Sequence, residues 1–134
     1  MANEAVIIEL LGNGGDPVRY TVADGAGIAK GALLKITDPR TAVATGADND
    51  PFAGIAAAEK VTSDGSTTLA AYTHGIFDLT DSGAGITAGE RVSIKDTNKI
   101  AKVAAADLLF ADVGIALETA AASEVIAVLV GSGF

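Results

Sequence analysis

The chain has 134 residues and no cysteine, so it fits one compact domain and has neither disulfides nor thiolate metal sites. Seventeen acidic against nine basic residues give a formal net charge of −8, which argues against binding a nucleic-acid backbone or an anionic lipid surface. Only six residues are aromatic, and no apolar run approaches the roughly 18–20 residues of a membrane-spanning helix.

The start of the chain, Met1-Ala2-Asn3-Glu4-Ala5, lacks a basic n-region, so no secretory signal is expected. Residues 4–11 read as a strand, and Gly12-Asn13-Gly14-Gly15 follows as a hinge. Two readings stay open for residues 1–20. They form an arm that adds a strand to the exposed sheet edge of a partner or a neighbouring subunit, or they are simply the first strand of the domain. On the first reading the contact candidates are Asn3, Glu4, Val6, Ile8 and Leu10.

From residue 21 onward the chain repeats itself. Residues 24–38 and 82–96 align at a spacing of 58, with seven of fifteen positions identical: Gly25/Gly83, Ala26/Ala84, Gly27/Gly85, Ile28/Ile86, Gly31/Gly89, Ile36/Ile94 and Asp38/Asp96. Phe52-Ala53 matches Phe110-Ala111 in the same register, and Gly54-Ile55-Ala56 matches Gly114-Ile115-Ala116 after a two-residue slip. Two related halves, 21–78 and 79–134, therefore make up a single domain over 21–134. Two copies are too few for a solenoid, so one pseudo-duplicated β-barrel or sandwich is expected.

Within each half a glycine-rich turn leads into a strand, at 32–37 and 91–95. Arg91-Val92-Ser93-Ile94-Lys95 alternates polar and apolar, the period of a half-buried strand. Turns at 38–40 and 96–99 and second strands near 42–45 and 100–104 complete hairpins. Strand is preferred for 54–60 and 114–119. A turn at 63–66 precedes a strand at 67–73, and 125–130 reads as a buried strand. Each half closes on a strand, a glycine and a Phe, at 69–77 and 125–134. The four Phe residues read as core anchors. The fold class is all-β, with at most minor helical turns such as one at 104–109.

Few residues invite a chemical reading. Gly25-x-Gly27-x-x-x-Gly31 has the wrong spacing for a dinucleotide loop, and its glycines recur at 83, 85 and 89 as a repeated turn would. Asp81-Ser82-Gly83 has the form in which aspartic proteases present a carboxylate, and a dimer would supply the second one. The matching segment in the first half, Asp24-Gly25-Ala26, lacks the hydroxyl residue. His74 is the one histidine, which leaves no zinc set. Asp48-Asn49-Asp50 reads as a solvated loop, since no EF-hand pattern follows it. No cofactor is expected.

His74-Gly75-Ile76-Phe77-Asp78-Leu79, then residues 83–94, Val113-Gly114-Ile115-Ala116-Leu117-Glu118-Thr119 and the valine-rich 125–130 together resemble the small capsid decoration, or cement, proteins of tailed viruses. The likeness spans most of 17–131. It implies a non-enzymatic β domain that forms a homotrimer on the outer capsid surface of a virion, made in the host cytoplasm. It also implies that the domain binds the major capsid protein, bridges capsomers and stabilises the shell, with no nucleic-acid or membrane partner. The competing readings are another structural, appendage or carbohydrate-binding β module and, more distantly, a dimeric aspartic protease using Asp81.

Overall fold

The computed structural model describes residues 3–9, 17–104 and 111–131. Eleven strands run in chain order: β1 Val6–Glu9, β2 Val18–Thr21, β3 Leu33–Thr37, β4 Thr41–Ala44, β5 Phe52–Ala56, β6 Thr68–Tyr72, β7 Gly75–Asp81, β8 Arg91–Asp96, β9 Lys99–Lys102, β10 Asp112–Ala116 and β11 Val125–Val130. No α-helix occurs among the described residues. The fold is all-β.

The strands close into two five-stranded barrels of the same topology. The first has the order β2-β4-β3-β5-β6. The second runs β7-β11-β10-β8-β9 and closes through a β7–β9 pairing. Each ring contains one parallel pairing, Thr21 with Thr41 in the first and Thr80 and Asp81 with Lys99 and Ile100 in the second. Closure removes the open edges that a flat sheet of this size would carry.

The shared sequence has a shared job. Ile28 and Lys60 exchange both backbone hydrogen bonds, at 2.9 and 2.7 Å, and Ile86 and Ala120 do the same at 3.0 and 2.8 Å. This clamp folds each glycine-rich turn over the end of its barrel, with the isoleucine side chain buried beneath. The backbone N–H of Gly31 then donates to Ala56, as that of Gly89 donates to Ala116, both at 2.8 Å. Alternation does the rest. Val92 and Ile94 point inward from β8, and Ile126, Val128 and Val130 from β11, all within one core cluster.

Several sequence expectations shift. The stretch 69–77 is two strands, because Thr73-His74 turns the chain between β6 and β7. Phe77 therefore opens the second barrel, and the join falls at 73–74 rather than at 78/79. The first barrel likewise begins at Val18, ahead of residue 21, with Val18, Arg19 and Tyr20 paired to Ala71, Ala70 and Leu69. The strand expectations at 54–60 and 114–119 also move: β5 and β10 begin two residues earlier and end at Ala56 and Ala116. The helical-turn expectation at 104–109 falls almost wholly outside the described residues, as do Phe110 and Phe134.

The barrels are joined by burial. Leu33, Ile55 and Tyr72 form a cross-strand row on the outer wall of the first barrel, with Leu33 paired to Ile55 and Ile55 to Tyr72. Their inward neighbours Leu34, Ala56 and Ala71 fill the first barrel's own core. Leu33 and Ile55 instead lie fully buried in the cluster formed by the second barrel, and Tyr72 packs on that cluster with its ring 6.2 Å from that of Phe77. The β8–β9 hairpin tip fixes the register. Asn98 Oδ1 accepts the Leu33 backbone N–H at 2.9 Å, and the Asn98 N–H donates to Thr45 Oγ1 at 3.3 Å. Asn98 sits at φ 55°, a left-handed conformation that Asn tolerates better than most residues.

Removing the Asn98 side chain leaves the buried Leu33 N–H without its acceptor, which costs about 1–3 kcal/mol. Asn98→Gly keeps the left-handed backbone accessible and isolates that loss. Urea unfolding of Asn98→Gly is expected to show a destabilisation in this range, and a change below about 0.5 kcal/mol would mean the bond contributes little.

Candidate functional site

The acidic residues flagged for chemistry, Asp81, Asp48 and Asp50, are tied into the frame. Asp81 is fully buried at the end of β7. Its Oδ2 accepts the backbone N–H groups of Gly85 at 2.8 Å and Ser123 at 3.3 Å, so the carboxylate ties two turns together. Asp50 accepts from the N–H groups of Gly46 and Ala47, and Asp48 pairs with Lys95 Nζ at 2.7 Å, so the acidic loop closes on itself and on the second barrel. His74 is exposed in the turn between the barrels, with Nδ1 3.3 Å from Thr73 Oγ1. Among the described residues, no group of three or more His, Asp or Glu is placed to hold a metal, and no helix is long and apolar enough to cross a membrane. Among the described residues, Tyr20 and Phe77 are buried and Phe52 and Tyr72 half-buried.

The first barrel uses a cation where the second uses Asp81. Lys60 is buried to its tip, and its Nζ donates to the Asp24 and Val61 carbonyls at 2.9 and 2.8 Å and to the carboxylates of Asp64 and Asp24 at 2.8 and 3.2 Å. Burial works to lower the Lys60 pKa, but the Asp64 and Asp24 carboxylates outweigh it and hold the ammonium above its ordinary 10.5. The hydrogen bond from Lys60 in turn holds the Asp64 carboxyl below its ordinary 3.8. For Asp50, burial pushes upward, and the Gly46 and Ala47 N–H groups with Lys35 bring the net shift below 3.8. Sequence reading missed Lys60; its only signal was a lone lysine at the end of an alanine-rich stretch.

One surface open to contact is the N-terminal strand. β1 pairs antiparallel with β7, Val6 opposite Asp78 and Ile7 opposite Phe77, and is the terminal strand of its sheet. Ala5 and Ile7 face inward on the second barrel's core. Ala5 also reaches the first barrel, donating its N–H to the Gly31 carbonyl at 2.6 Å. Gly31 sits at φ 88°, and a Cβ there would run into the Ala5 carbonyl, so this crossing requires glycine. Val6 and Ile8 face outward and are 56% and 50% exposed. Asn3 is exposed and Glu4 half-buried, while Leu10 lies outside the described residues. Residues 6–9 are thus a docked strand whose outer edge carries no partner strand among the described residues.

The sequence matches the family model of phage cement proteins over residues 13–131. The chain belongs to the phage cement protein family. Membership carries a capsid-decoration role and association with the virion capsid; the all-β, pseudo-duplicated small-barrel build is as the sequence led us to expect, with each half closing a barrel of its own where one shared barrel or sandwich was expected. Among curated proteins no relative matches. In this cement-family chain Lys60, Asp81 and Asp112 each have hydrogen-bond partners, and an apolar strand edge lies open at β1.

The pKa directions set a pH dependence. Asp64 and Asp50 titrate lower in the fold than in the unfolded chain, so their stabilisation is present above pH about 3.8 and is lost as pH falls through their folded values. Lys60 titrates higher in the fold, so its contribution is present below about 10.5 and is lost as pH rises through its folded value. Melting curves across pH should therefore show decline at both extremes. Burial likewise holds the Tyr20 phenol above its ordinary 10.0, so Lys60→Met should lose part of the alkaline decline, keeping the share due to Tyr20, and part of the acid one, keeping the share due to Asp50. Unaltered limbs in Lys60→Met would overturn the assignment.

Proposed function

We infer that this chain binds the exterior of an assembled phage capsid, bridges neighbouring capsomers and stabilises the shell, without catalysing a reaction. Family membership supports the capsid as destination. The observation that carries the contact is the open edge of β1 with Val6 and Ile8 exposed upon it. An exposed edge strand with β-branched residues is a ready template for strand pairing, and proteins normally block or cover such edges. A strand or loop of the major capsid protein laid along β1 would satisfy its free backbone groups and cover both side chains, the β-augmentation mode of recognition. Asn3, Glu4, Val6, Ile8 and Leu10 are the proposed contact set. The protein acts as a homotrimer, so that several contacts engage the shell at once.

Stabilisation follows from mass action. A ligand that binds only the assembled shell stabilises it by RT ln(1 + [L]/Kd), about 2.7 kcal/mol per site at a hundredfold excess over Kd. Repeated over many sites, modest affinity resists internal pressure. An acidic protein with a net charge of −8 also stays soluble when crowded on that surface.

Deleting residues 2–12 would test the contact poorly, because Ala5 and Ile7 belong to the core. Val6→Glu with Ile8→Glu changes only the outward face. This double variant should melt within a few degrees of the parent and lose at least tenfold in capsid occupancy on co-sedimentation with particles from which the protein has been stripped. Full occupancy by the folded variant would remove β1 as the contact, and failure of the parent protein to bind would remove the decoration reading itself.

A further inference from the structure

The outward face of the second barrel carries a charge that the fold does not use. Residues directly opposite one another in an antiparallel pair point to the same side of the sheet. Val6, Asp78 and Ala127 are opposite one another on β1, β7 and β11. Leu117, whose N–H donates to the Ala127 carbonyl at 2.9 Å, continues their row just past β10. A second row on the same face holds Ile76, Leu129 and Ile115. These apolar side chains belong to neither core cluster. Val6 and Leu117 are 56% and 44% exposed, and the others are half-buried. Four strands about 4.8 Å apart and two side-chain rows about 6.8 Å apart give this face an extent on the order of 250 Å². The largest apolar patch on a typical monomer is of this order and is often functional.

Asp78 stands between Val6 and Ala127 on this face, half-buried. Aspartate is disfavoured in strands, and a polar group flanked by apolar neighbours loses solvation that only a partner restores. Among the described residues the Asp78 carboxylate has no hydrogen-bond or ion-pair partner. Arg91, opposite Ile115 at the end of the second row, is committed to buried Asp112. Glu118, whose Oε1 accepts the Ala127 N–H at 2.8 Å, adds a second negative charge beside the first row. The face thus joins apolar area to negative charge, and its complement is a cation set among apolar side chains.

We propose that this face receives a segment of the capsid that presents one lysine or arginine among apolar side chains, with the cation seated on Asp78. Charge complementarity selects the occupant. A second copy laid on the same face brings carboxylates against carboxylates, and juxtaposed like charges are strongly unfavourable. Asp78 therefore also keeps the apolar rows from pairing with their own kind, an unpaired charge acting against the wrong partner. The face meets the open edge of β1 at Val6, so edge and face form one continuous surface. The inference rests on the capsid as the partner proposed above and not on strand pairing along β1.

Full-length Asp78→Asn, Asp78→Lys and Leu117→Glu test this by melting, native mass spectrometry and titration onto particles from which the protein has been stripped. Asp78→Asn removes the charge and keeps the shape. It should melt no lower than the parent, since the fold makes no use of the carboxylate, yet bind the particles at least about tenfold more weakly. Asp78→Lys should lose binding further at an unchanged oligomeric state. Leu117→Glu lies three strands from β1 and should weaken binding without touching that edge. Parent-like affinity of Asp78→Asn and Asp78→Lys overturns the cation contact, and parent-like affinity of Leu117→Glu overturns the apolar face. An oligomeric state altered by Asp78→Lys shows a second copy on the face and overturns the capsid as its occupant. A parent that does not bind removes the decoration reading and this inference with it, whereas a bound parent with indifferent variants removes the inference alone.

Discussion

The insertion of Leu33 and Ile55, outer-wall residues of one barrel, into the core of the other makes a single body out of two small closed sheets. Each five-stranded ring is a small unit with a thin interior. The first barrel's core is built largely of alanine, with Leu34, Leu69, Ile28, Val22 and Tyr20 as its larger members. Small units of this kind bury too little apolar surface to be comfortably stable alone. Full burial of two large aliphatic side chains at the joint is worth about 1.5–3 kcal/mol each. The Asn98 hairpin tip then sets the register, because a buried backbone N–H has to find its acceptor.

Around that joint the same frame is stapled in two ways. Where the first barrel buries Lys60 among two carboxylates and two carbonyls, the second places Ala120 at the clamp position and buries Asp81 against two backbone N–H groups. Lys60 and Asp81 are thus committed to holding turns, while buried Asp112 holds Arg91 across β10 and β8.

Much of the architecture was legible in the sequence, and the failures have physical causes. The Gly-Ala-Gly-Ile spacing showed the duplication because the clamp needs an isoleucine at a fixed distance from its turn. The alternation in β8 and the valine-rich β11 showed strands directly. The boundary at 73–74 was hidden because β6 and β7 form a nearly continuous apolar run, interrupted only by Thr73 and His74. Val18-Arg19-Tyr20-Thr21 alternates as a strand should, but it lies where the repeat fades and was absorbed into the N-terminal segment. The two readings of residues 1–20 could not be separated from sequence, since a strand that docks in its own molecule and one that docks elsewhere obey the same pattern. The burial of Lys60 was invisible for a different reason: its partners Asp24 and Asp64 come together only once the clamp has formed.

The placement of β1 has a consequence for how the chain comes off the ribosome. Residues 6–9 emerge ahead of their partner β7, which lies some seventy residues later and belongs to the second barrel. The outer wall carrying Leu33, Ile55 and Tyr72 waits for the same event. A nascent chain that has finished its first barrel therefore carries two uncovered apolar surfaces at once, the Val6–Glu9 strand and the wall. The wall and the inward face of that strand, with Ala5 and Ile7, are covered only when the second barrel closes.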